Sequence, residues 1–555
     1  MKHLLPALAA SALAAALACA PAHAADAWIA TKTLAVAPAA TAPALEPAAV
    51  VRVAVALQPR DKAGLDAFVA DRLAGRTSAR LTSAQFLAKH APAAADAQAV
   101  VAHLRQAGFR NVQLAKNRML VTADGNAAAA AAAFHADLRR FVVDGRAAYA
   151  NVTDAQVPAS LGHVVGSVLG LQTVNQAHSM MKRAAAGTAA AGQRLTHDAE
   201  DFSTLYGADS LPPAADATIA IVAVGNLYET LNDLASFVSM KGWPTVDTEV
   251  VQPAGDAPDY YDVEEWNMDS QASLGAAGGQ VKQMLFYDVP DYSDASLQAA
   301  WNGAVADNRA QTVSTSIGEC EQYATLTGLM AAADTTFEIA VAQGQTFAFA
   351  SGDTGSWACN EIHNGVTYPA SSPWVIAVGG TTLVTGNDLK TYVDEKAWSC
   401  NDRISCLALG GSGGGMSVAE KVPSWQAGIV GPKGKGKSRN IPDVAFDGNQ
   451  ATGLNLFLEG HIDGPIGGTS LSTPIFAGLW ARIQSAHGNT LGFPGMAFYG
   501  LHESETDVFH DVVSGTNDGF NAKKGWDDVT GFGSFDAARL SAFIDANPDA
   551  FGHRP

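Results

Sequence analysis

Apolar and polar positions follow two different rhythms along this chain, and the change falls near residue 190. Before it, residues 51–57 alternate as a strand does, 64–73 and 97–107 carry apolar residues at helical spacing, 118–122 reads as another strand and 127–141 as one long helix. That order predicts a small α+β domain with an antiparallel sheet. After it, short apolar runs at 218–225, 281–287, 312–317, 346–350 and 375–378 read as buried strands, with helical stretches such as 323–342 between them. Strands buried on both faces and separated by helices predict a parallel sheet with helices on either side. The chemistry of such a sheet sits in the loops at the carboxyl ends of its strands. Residues 184–192, a run of Ala, Gly and Thr, cannot build a core and read as a linker.

The N-terminus predicts that the chain is exported. Met1-Lys2-His3, an apolar stretch over 4–18 and the small-residue end Ala22-His23-Ala24 form a secretory signal peptide, with cleavage expected after Ala24. The apolar run is shorter than the roughly 20 residues that span a bilayer, and no later stretch is suited to span one. Ala16 stands where a lipoprotein signal usually has leucine, which argues against lipid attachment at Cys19. The mature chain is expected to be soluble and exported, extracellular or periplasmic.

Cysteine and charge narrow the class further. Four cysteines remain after the signal, and in an exported protein an even count favours disulfides. Cys400 with Cys406, close in sequence, and Cys320 with Cys359, following two successive strands, are the expected pairs. Zinc is disfavoured, since no CxxC spacing or nearby histidine pair accompanies them. The formal net charge of -19 argues against nucleic acid or an anionic membrane as partner. Charged residues make up 16% of the chain, against about 25% in ordinary soluble proteins. Fewer native ion pairs leave fewer carboxylates whose protonation would undo the fold in acid, although an alanine-rich composition produces the same dilution.

Three motifs carry chemistry. Glu265 and Asp269 lie four apart on a helix, which stacks two carboxylates on one face. Gly467-Gly468-Thr469-Ser470-Leu471-Ser472-Thr473-Pro474 is a glycine-rich turn exposing the Ser470 hydroxyl at a helix start, with Pro474 expected in the first turn. Asp353, in Ser351-Gly352-Asp353-Thr354-Gly355, follows a strand directly. Taken singly, these are a solvated helix face, an N-cap and a turn former. Together and in this order they resemble the sedolisin family, serine-carboxyl peptidases with a subtilisin-like fold that act in acid. The segment Glu265-Trp266-Asn267-Met268-Asp269-Ser270-Gln271 matches the family's Glu-Trp-x-x-Asp-Ser-Gln pattern. Further family-like stretches are Tyr368-Pro369-Ala370-Ser371-Ser372-Pro373, Val378-Gly379-Gly380-Thr381, Gly413-Gly414-Gly415-Met416-Ser417 and Pro442-Asp443-Val444-Ala445.

The resemblance implies a role for each residue. Ser470 is the nucleophile, which needs a base to take its proton, and Glu265 is that base. Asp269 hydrogen-bonds Glu265 and sets its orientation. Asp353 is the oxyanion donor and must be protonated to act. The N-terminal α+β part, with Leu81-Thr82-Ser83-Ala84-Gln85-Phe86 and the closing Val165-Gly166-Ser167-Val168-Leu169-Gly170-Leu171, resembles the pro-kumamolisin-type activation domain and would inhibit its own enzyme. Asp511, Val512, Lys523, Gly525 and Asp527 resemble the family's calcium loop, an all-oxygen shell, with Lys523 where the family commonly has glycine. One structural Ca2+ is expected there. The resulting organisation is a signal peptide over 1–24, an activation domain over 25–183, a cleavable linker over 184–194 and a peptidase domain over 195–555.

The expected activity is endopeptidase hydrolysis of proteins and peptides by a monomer. Tripeptidyl exopeptidase activity and a non-catalytic binding protein on the same fold are the alternatives. Two other protease classes fail on mechanics. An aspartic peptidase needs a second loop like Asp353-Thr354-Gly355. A subtilisin-type triad needs histidine before serine in the chain, whereas His487-Gly488 follows Ser470.

Overall fold

The computed structural model describes residues 27–36, 41–183, 196–359, 364–501 and 507–548. The expected signal peptide and the linker over 184–194 lie outside the described residues. The N-terminal part contains β1 (Val50–Leu57), α1 (Lys62–Leu73), α2 (Ala94–Gln106), β2 (Arg110–Leu114), β3 (Leu120–Asn126), α3 (Ala127–Phe134) and β4 (Val165–Leu169). Its sheet is antiparallel throughout, in the order β2-β3-β1-β4.

Alternation along β1 sends its two faces to two different cores. Val51, Val53, Val55 and Leu57 pack with Val100, Leu104 and Phe134 inside this part, while Ala54 and Ala56 join the larger core of the C-terminal part. Small residues on that second face let the two parts approach closely. Leu65 and Val69 of α1 enter the same larger core. Polar contacts complete the junction: Asn117 Nδ2 donates to Asn302 Oδ1 at 2.8 Å, Arg80 donates to the Asn489 carbonyl at 2.8 Å, and Lys62 pairs with Glu338 at 2.9 Å.

The long helix expected over 127–141 stops at Phe134. His135 adopts a left-handed φ of 50° there, and Leu138–Val143 instead pairs antiparallel with Arg146–Asn151. The turn between them, Asp144-Gly145, has positive φ at both residues, the two-residue turn whose twist suits a hairpin.

After β4 the chain contributes two short strands, β5 (His178–Ser179) and β6 (Lys182–Arg183), to the C-terminal part. That part is built from β7 (Ala214–Val224), β8 (Thr248–Val251), α4 (Val263–Ala276), β9 (Val281–Val289), α5 (Asp294–Asp307), β10 (Thr312–Thr315), β11 (Ile317–Cys320), α6 (Leu329–Gln343), β12 (Thr346–Ala350), β13 (Ile376–Thr385), β14 (Tyr392–Ala397), β15 (Val444–Asp447), β16 (His461–Gly467) and α7 (Thr469–Ala486). The sheet runs β8-β9-β7-β10-β12-β13-β14, with β15 also on β13, and all pairs are parallel except β13 with β14. Helices α4 and α7 pack on each other and against the sheet, and α5 and α6 form a second packed pair.

The helix expected over 323–342 divides at Gly328, whose φ of 79° ends Glu321–Thr327 before α6 begins. Disulfides join Cys320 to Cys359 and Cys400 to Cys406, the expected pairs. Among the described residues no helix is long and apolar enough to cross a membrane.

Candidate active site

Three carboxyl groups and one serine converge where α4, α7 and the end of β12 meet. Trp266 explains how α4 is fixed there: its ring is fully buried and its indole N–H donates at 2.9 Å to the carbonyls of Val224 and Tyr261. Rotation of one helical turn then points Glu265 and Asp269 inward, and both are completely buried rather than on a solvated face.

Ser470 is the second residue of α7, after Gly468. Pro474 lies inside that helix, beyond the first turn where the sequence pattern puts it. Its missing N–H leaves the Ser470 carbonyl without its i+4 donor. The Ser316 hydroxyl donates to that carbonyl at 3.3 Å.

Ser316 is the contact that the sequence did not reveal. Its hydroxyl donates to Asp269 Oδ1 at 2.7 Å, and its carbonyl accepts from the Ser470 hydroxyl at 3.4 Å. It follows β10, at the carboxyl end of a parallel strand where functional residues are expected, and that position was the available signal. Asp269 therefore spends one oxygen on Ser316, not on Glu265. Its Oδ2 and both oxygens of Glu265 have no hydrogen-bond partner with full geometry among the described residues. Ser470 is nonetheless near enough to hold the Glu265 pKa down, against the larger upward push from burial and from the charge of Asp269. Burial also pushes Asp269 well above its ordinary value, and Ser316 opposes this.

Asp353 is held by the helix start. The Thr469 N–H and hydroxyl both donate to Asp353 Oδ1 at 2.7 Å, while Oδ2 has no partner among the described residues. Burial raises its pKa to about 7 despite those two bonds and the nearby Lys182. The free oxygen faces the chain's own backbone: a methyl placed on Gly468 would lie 2.6 Å from Asp353 Oδ2 and 2.2 Å from the Met180 carbonyl oxygen. Gly468 has a φ of 105°, so glycine serves both the backbone angle and the close approach.

Residues 178–183 lie through this site as an extended strand. Strand β5 pairs antiparallel with β11, β6 pairs antiparallel with β16, and between them the Met180 N–H donates to the Ser316 carbonyl at 3.0 Å. The Met180 carbonyl accepts from the Ser470 N–H at 3.0 Å.

The calcium-loop residues also come together. Asp511 Oδ2 accepts from the Gly525 N–H at 2.9 Å, and Asp527 accepts from the N–H groups of Lys523, Val529 and Thr530 at 2.8 to 2.9 Å. Asp527 is fully buried, and burial raises its pKa to about 6 against the hydrogen bonds it accepts from Lys523, Thr530 and Val529. Among the described residues no group of three or more carboxylate, histidine or cysteine side chains is arranged to hold a metal ion, so an ion here would draw on backbone carbonyls such as those of Val512, Lys523 and Gly525.

His487 is remote from all of this. It follows the last residue of α7, whereas Ser470 is near the first, so at 1.5 Å per residue the two stand roughly 25 Å apart. A parallel sheet with a serine in the first turn of a helix beside three buried carboxyl groups is the arrangement of a subtilisin-like serine peptidase of the serine-carboxyl kind. Comparison with known proteins agrees. Residues 39–174 match the pro-kumamolisin activation domain and residues 186–526 match the subtilase family. Sedolisin of Pseudomonas sp. (strain 101) is 46% identical over 489 residues, covering 84% of this chain and 82% of its own length. Xanthomonalisin of Xanthomonas sp. (strain T-22) is 38% identical over 562 residues, covering 91% of this chain and 66% of its own length. The solved structure of Pseudomonas sedolisin complexed with two molecules of pseudo-iodotyrostatin shares 43% identity at a TM-score of 0.60, over 63% of this chain and 98% of that one. The chain belongs to the sedolisin family and is a serine-type peptidase preceded by an activation domain.

Proposed function

We propose that this chain is the zymogen of a secreted, monomeric, acid-acting endopeptidase, with Ser470 as nucleophile, Glu265 as its base, Asp269 as the group that orients Glu265, and Asp353 as oxyanion donor. The observation that carries this reading is the Met180 carbonyl, seated on the Ser470 N–H at 3.0 Å, whose oxygen and the unbonded oxygen of Asp353 both border the same point beside Gly468, 2.2 and 2.6 Å from a methyl placed there. A carbonyl becoming an oxyanion at that point meets one backbone donor and, when Asp353 is protonated, one carboxylic acid donor. Asp353 already gives Oδ1 to Thr469, so Oδ2 is the atom left to carry the proton.

Glu265 and Asp269 cannot both hold full charge in a dry site, so one proton is shared between them. Asp269 keeps it on the Oδ2 that Ser316 leaves free and would donate it to Glu265 once the two carboxyls close to hydrogen-bond distance, which leaves Glu265 charged and able to accept from Ser470. Attack of Ser470 Oγ on the substrate carbonyl carbon transfers the serine proton to Glu265. Collapse of the tetrahedral species breaks the C–N bond, and Glu265 protonates the leaving amine. Water then attacks the acyl-serine, gives its proton to Glu265, and Glu265 returns it to Ser470 Oγ. At neutral pH an ionised Asp353 would repel the oxyanion, so the rate is confined to acid.

Endopeptidase action is favoured over tripeptidyl cleavage by the course of the bound segment. It enters from upstream of His178 along β11 and leaves along β16, so chain continues in both directions from Met180. An exopeptidase cleft would need to stop after three residues to hold a free amine. The same docking supports the activation domain as an intramolecular inhibitor, removed by cleavage. The Asp511 and Asp527 loop suits one Ca2+, because two carboxylates brought to one loop and the loop carbonyls of Val512, Lys523 and Gly525 would be the hard oxygen donors that ion prefers. Asp511 and Asp527 would hold the ion, which when bound would neutralise their charge and tie the loop together; the proton transfers among Ser470, Glu265 and Asp269 are not routed through it.

Digestion of a denatured protein at about pH 4, near the reference carboxylic pKa, with sequencing of the fragments, tests the reading. Internal fragments are expected from the wild type and none from Ser470→Ala. Tripeptides released from N-termini would replace endopeptidase with exopeptidase action, and no products from either would point to the binding-protein alternative.

A further inference from the structure

The segment lying in the cleft ends in an arginine held by two acidic side chains that have no part in bond breaking. Arg183 makes a fork with Glu264, Nε to Oε2 at 3.2 Å and Nη2 to Oε1 at 2.5 Å, and a third contact from Nη1 to Asp463 Oδ2 at 2.8 Å. Glu264 precedes the proposed base in the first turn of α4, and Asp463 comes from β16, the strand that pairs with β6. The two carboxylates thus reach Arg183 from the two walls of the cleft. All three side chains remain about a third exposed, so a solvated guanidinium can enter and leave.

The register fixes which side of the bond this is. The carbonyl on the Ser470 N–H belongs to Met180, so the bond presented to Ser470 is Met180–Met181. Arg183 is then the third residue on the leaving-group side, with Lys182 opposite Gly467 and Arg183 opposite Ile466. The buried Met180 side chain fills the position before the bond: a methyl on Gly318 would lie 3.0 Å from Met180 Cε.

We infer that Glu264 and Asp463 form a guanidinium subsite that selects arginine at the third position after the cleaved bond, and that it directs the first processing cut to Met180–Met181. This rests on the peptidase chemistry proposed above. In that cut Ser470 Oγ bonds to the Met180 carbonyl carbon, the bond to the Met181 nitrogen breaks, Glu265 protonates that nitrogen, and water releases Met180 as a carboxyl terminus. The same subsite then acts on protein substrates, since β6 is held on β16 by backbone bonds that any extended chain can make. Arginine suits it better than lysine, because a planar fork matches the carboxylate of Glu264 at two atoms.

The mature enzyme is given two fluorogenic peptides, one with the chain's own sequence over 177–184 and one carrying Arg183→Ala, with products located by mass spectrometry. Both are expected to be cut between Met180 and Met181, and the Arg183→Ala peptide to show a kcat/KM lower by roughly three- to tenfold, the scale of a partly exposed forked ion pair. In Glu264→Gln/Asp463→Asn enzyme the ratio of the two peptides should fall toward one; each single variant should give an intermediate ratio and guards against misfolding of the double. Equal rates for the two peptides in the wild type, a ratio that persists in the variants, or cutting at another bond overturns the subsite. If the wild type also fails to digest denatured protein, it is the peptidase reading that has failed; digestion without discrimination sinks the subsite alone.

Discussion

Replacement of Asp353 by asparagine separates the donor from its proton. In the folded chain Thr469 gives two hydrogen bonds to Oδ1, and asparagine can accept both through its amide oxygen while aiming its NH2 at the position of the Met180 carbonyl. Removing an oxyanion donor outright costs about a hundred- to a thousandfold in rate, so Asp353→Ala sets the floor and Asp353→Asn should lie above it. The pH profile carries the sharper signal. Burial raises Asp353 to about 7 while the cleft is filled; once the segment has left, water enters and that value moves back toward the usual carboxylate range. The wild-type rate should therefore lose about tenfold per pH unit above the working pKa, because each ionised Asp353 faces the oxyanion with a negative charge. The substituted amide cannot ionise, so the variant should lose a smaller fraction of its activity between about pH 5 and pH 7. Initial rates on one fluorogenic peptide, with circular dichroism confirming the fold at each pH, measure both limbs. Alkaline limbs of the same midpoint and slope in wild type and Asp353→Asn would assign the acid dependence to another group and refute the reasoning.

Further outcomes follow from the same contacts. Gly468→Ala should abolish processing, since its methyl would stand 2.2 Å from the Met180 carbonyl oxygen and 2.6 Å from Asp353 at a φ of 105°; N-terminal sequencing after acidification would show normal cleavage if the close approach is unnecessary. The inactive Ser470→Ala zymogen should be more stable in acid than at neutrality. Burial raises Glu395 to about 7 and Asp447 to about 8, so their contribution is complete below the unfolded values near 4 and is lost as pH rises through 7 to 8. For Glu395 this is on the order of 3 kcal/mol, and a melting temperature that climbs from pH 4 to pH 8 would contradict it. Calcium should raise the melting temperature by mass action on the native state, and Asp527→Ala should remove the increment; equal melting with calcium and with a chelator would eliminate the site.

Much of the fold and of the site was readable in the sequence because each signal was local. Apolar runs bounded by turns marked the strands, and the i, i+4 spacing put Glu265 and Asp269 on one side of α4. Where the reading failed, nonlocal contacts or single backbone angles decided. The helix over 127–141 has no apolar break at His135; it ends because a left-handed residue and the Asp144-Gly145 turn allow a hairpin. Gly328 divides a stretch whose apolar spacing runs straight through it. Composition marks the linker over 184–192, but nothing in it shows that the Met180 carbonyl sits on the Ser470 N–H. Strands β5 and β6 are two residues each and are held by backbone bonds to β11 and β16, which leave no mark in side-chain pattern. Ser316 escaped for the same reason, since it acts through a carbonyl and a hydroxyl brought to Ser470 across 154 residues.

The central claim, that a carboxylate and not a histidine activates Ser470, is tested most directly by peptide hydrolysis rates at about pH 4 for wild type, Ser470→Ala, Glu265→Gln and His487→Ala. To supply mature protein of the two inactive variants, wild-type enzyme is used to remove the activation domain and is then separated away. The wild type and His487→Ala should hydrolyse the peptide at similar rates, because His487 binds Ser541 at 2.9 Å at the far end of α7, while Ser470→Ala and Glu265→Gln should show none above background. Near-full activity in Glu265→Gln, or loss of activity in a folded His487→Ala, would contradict the account.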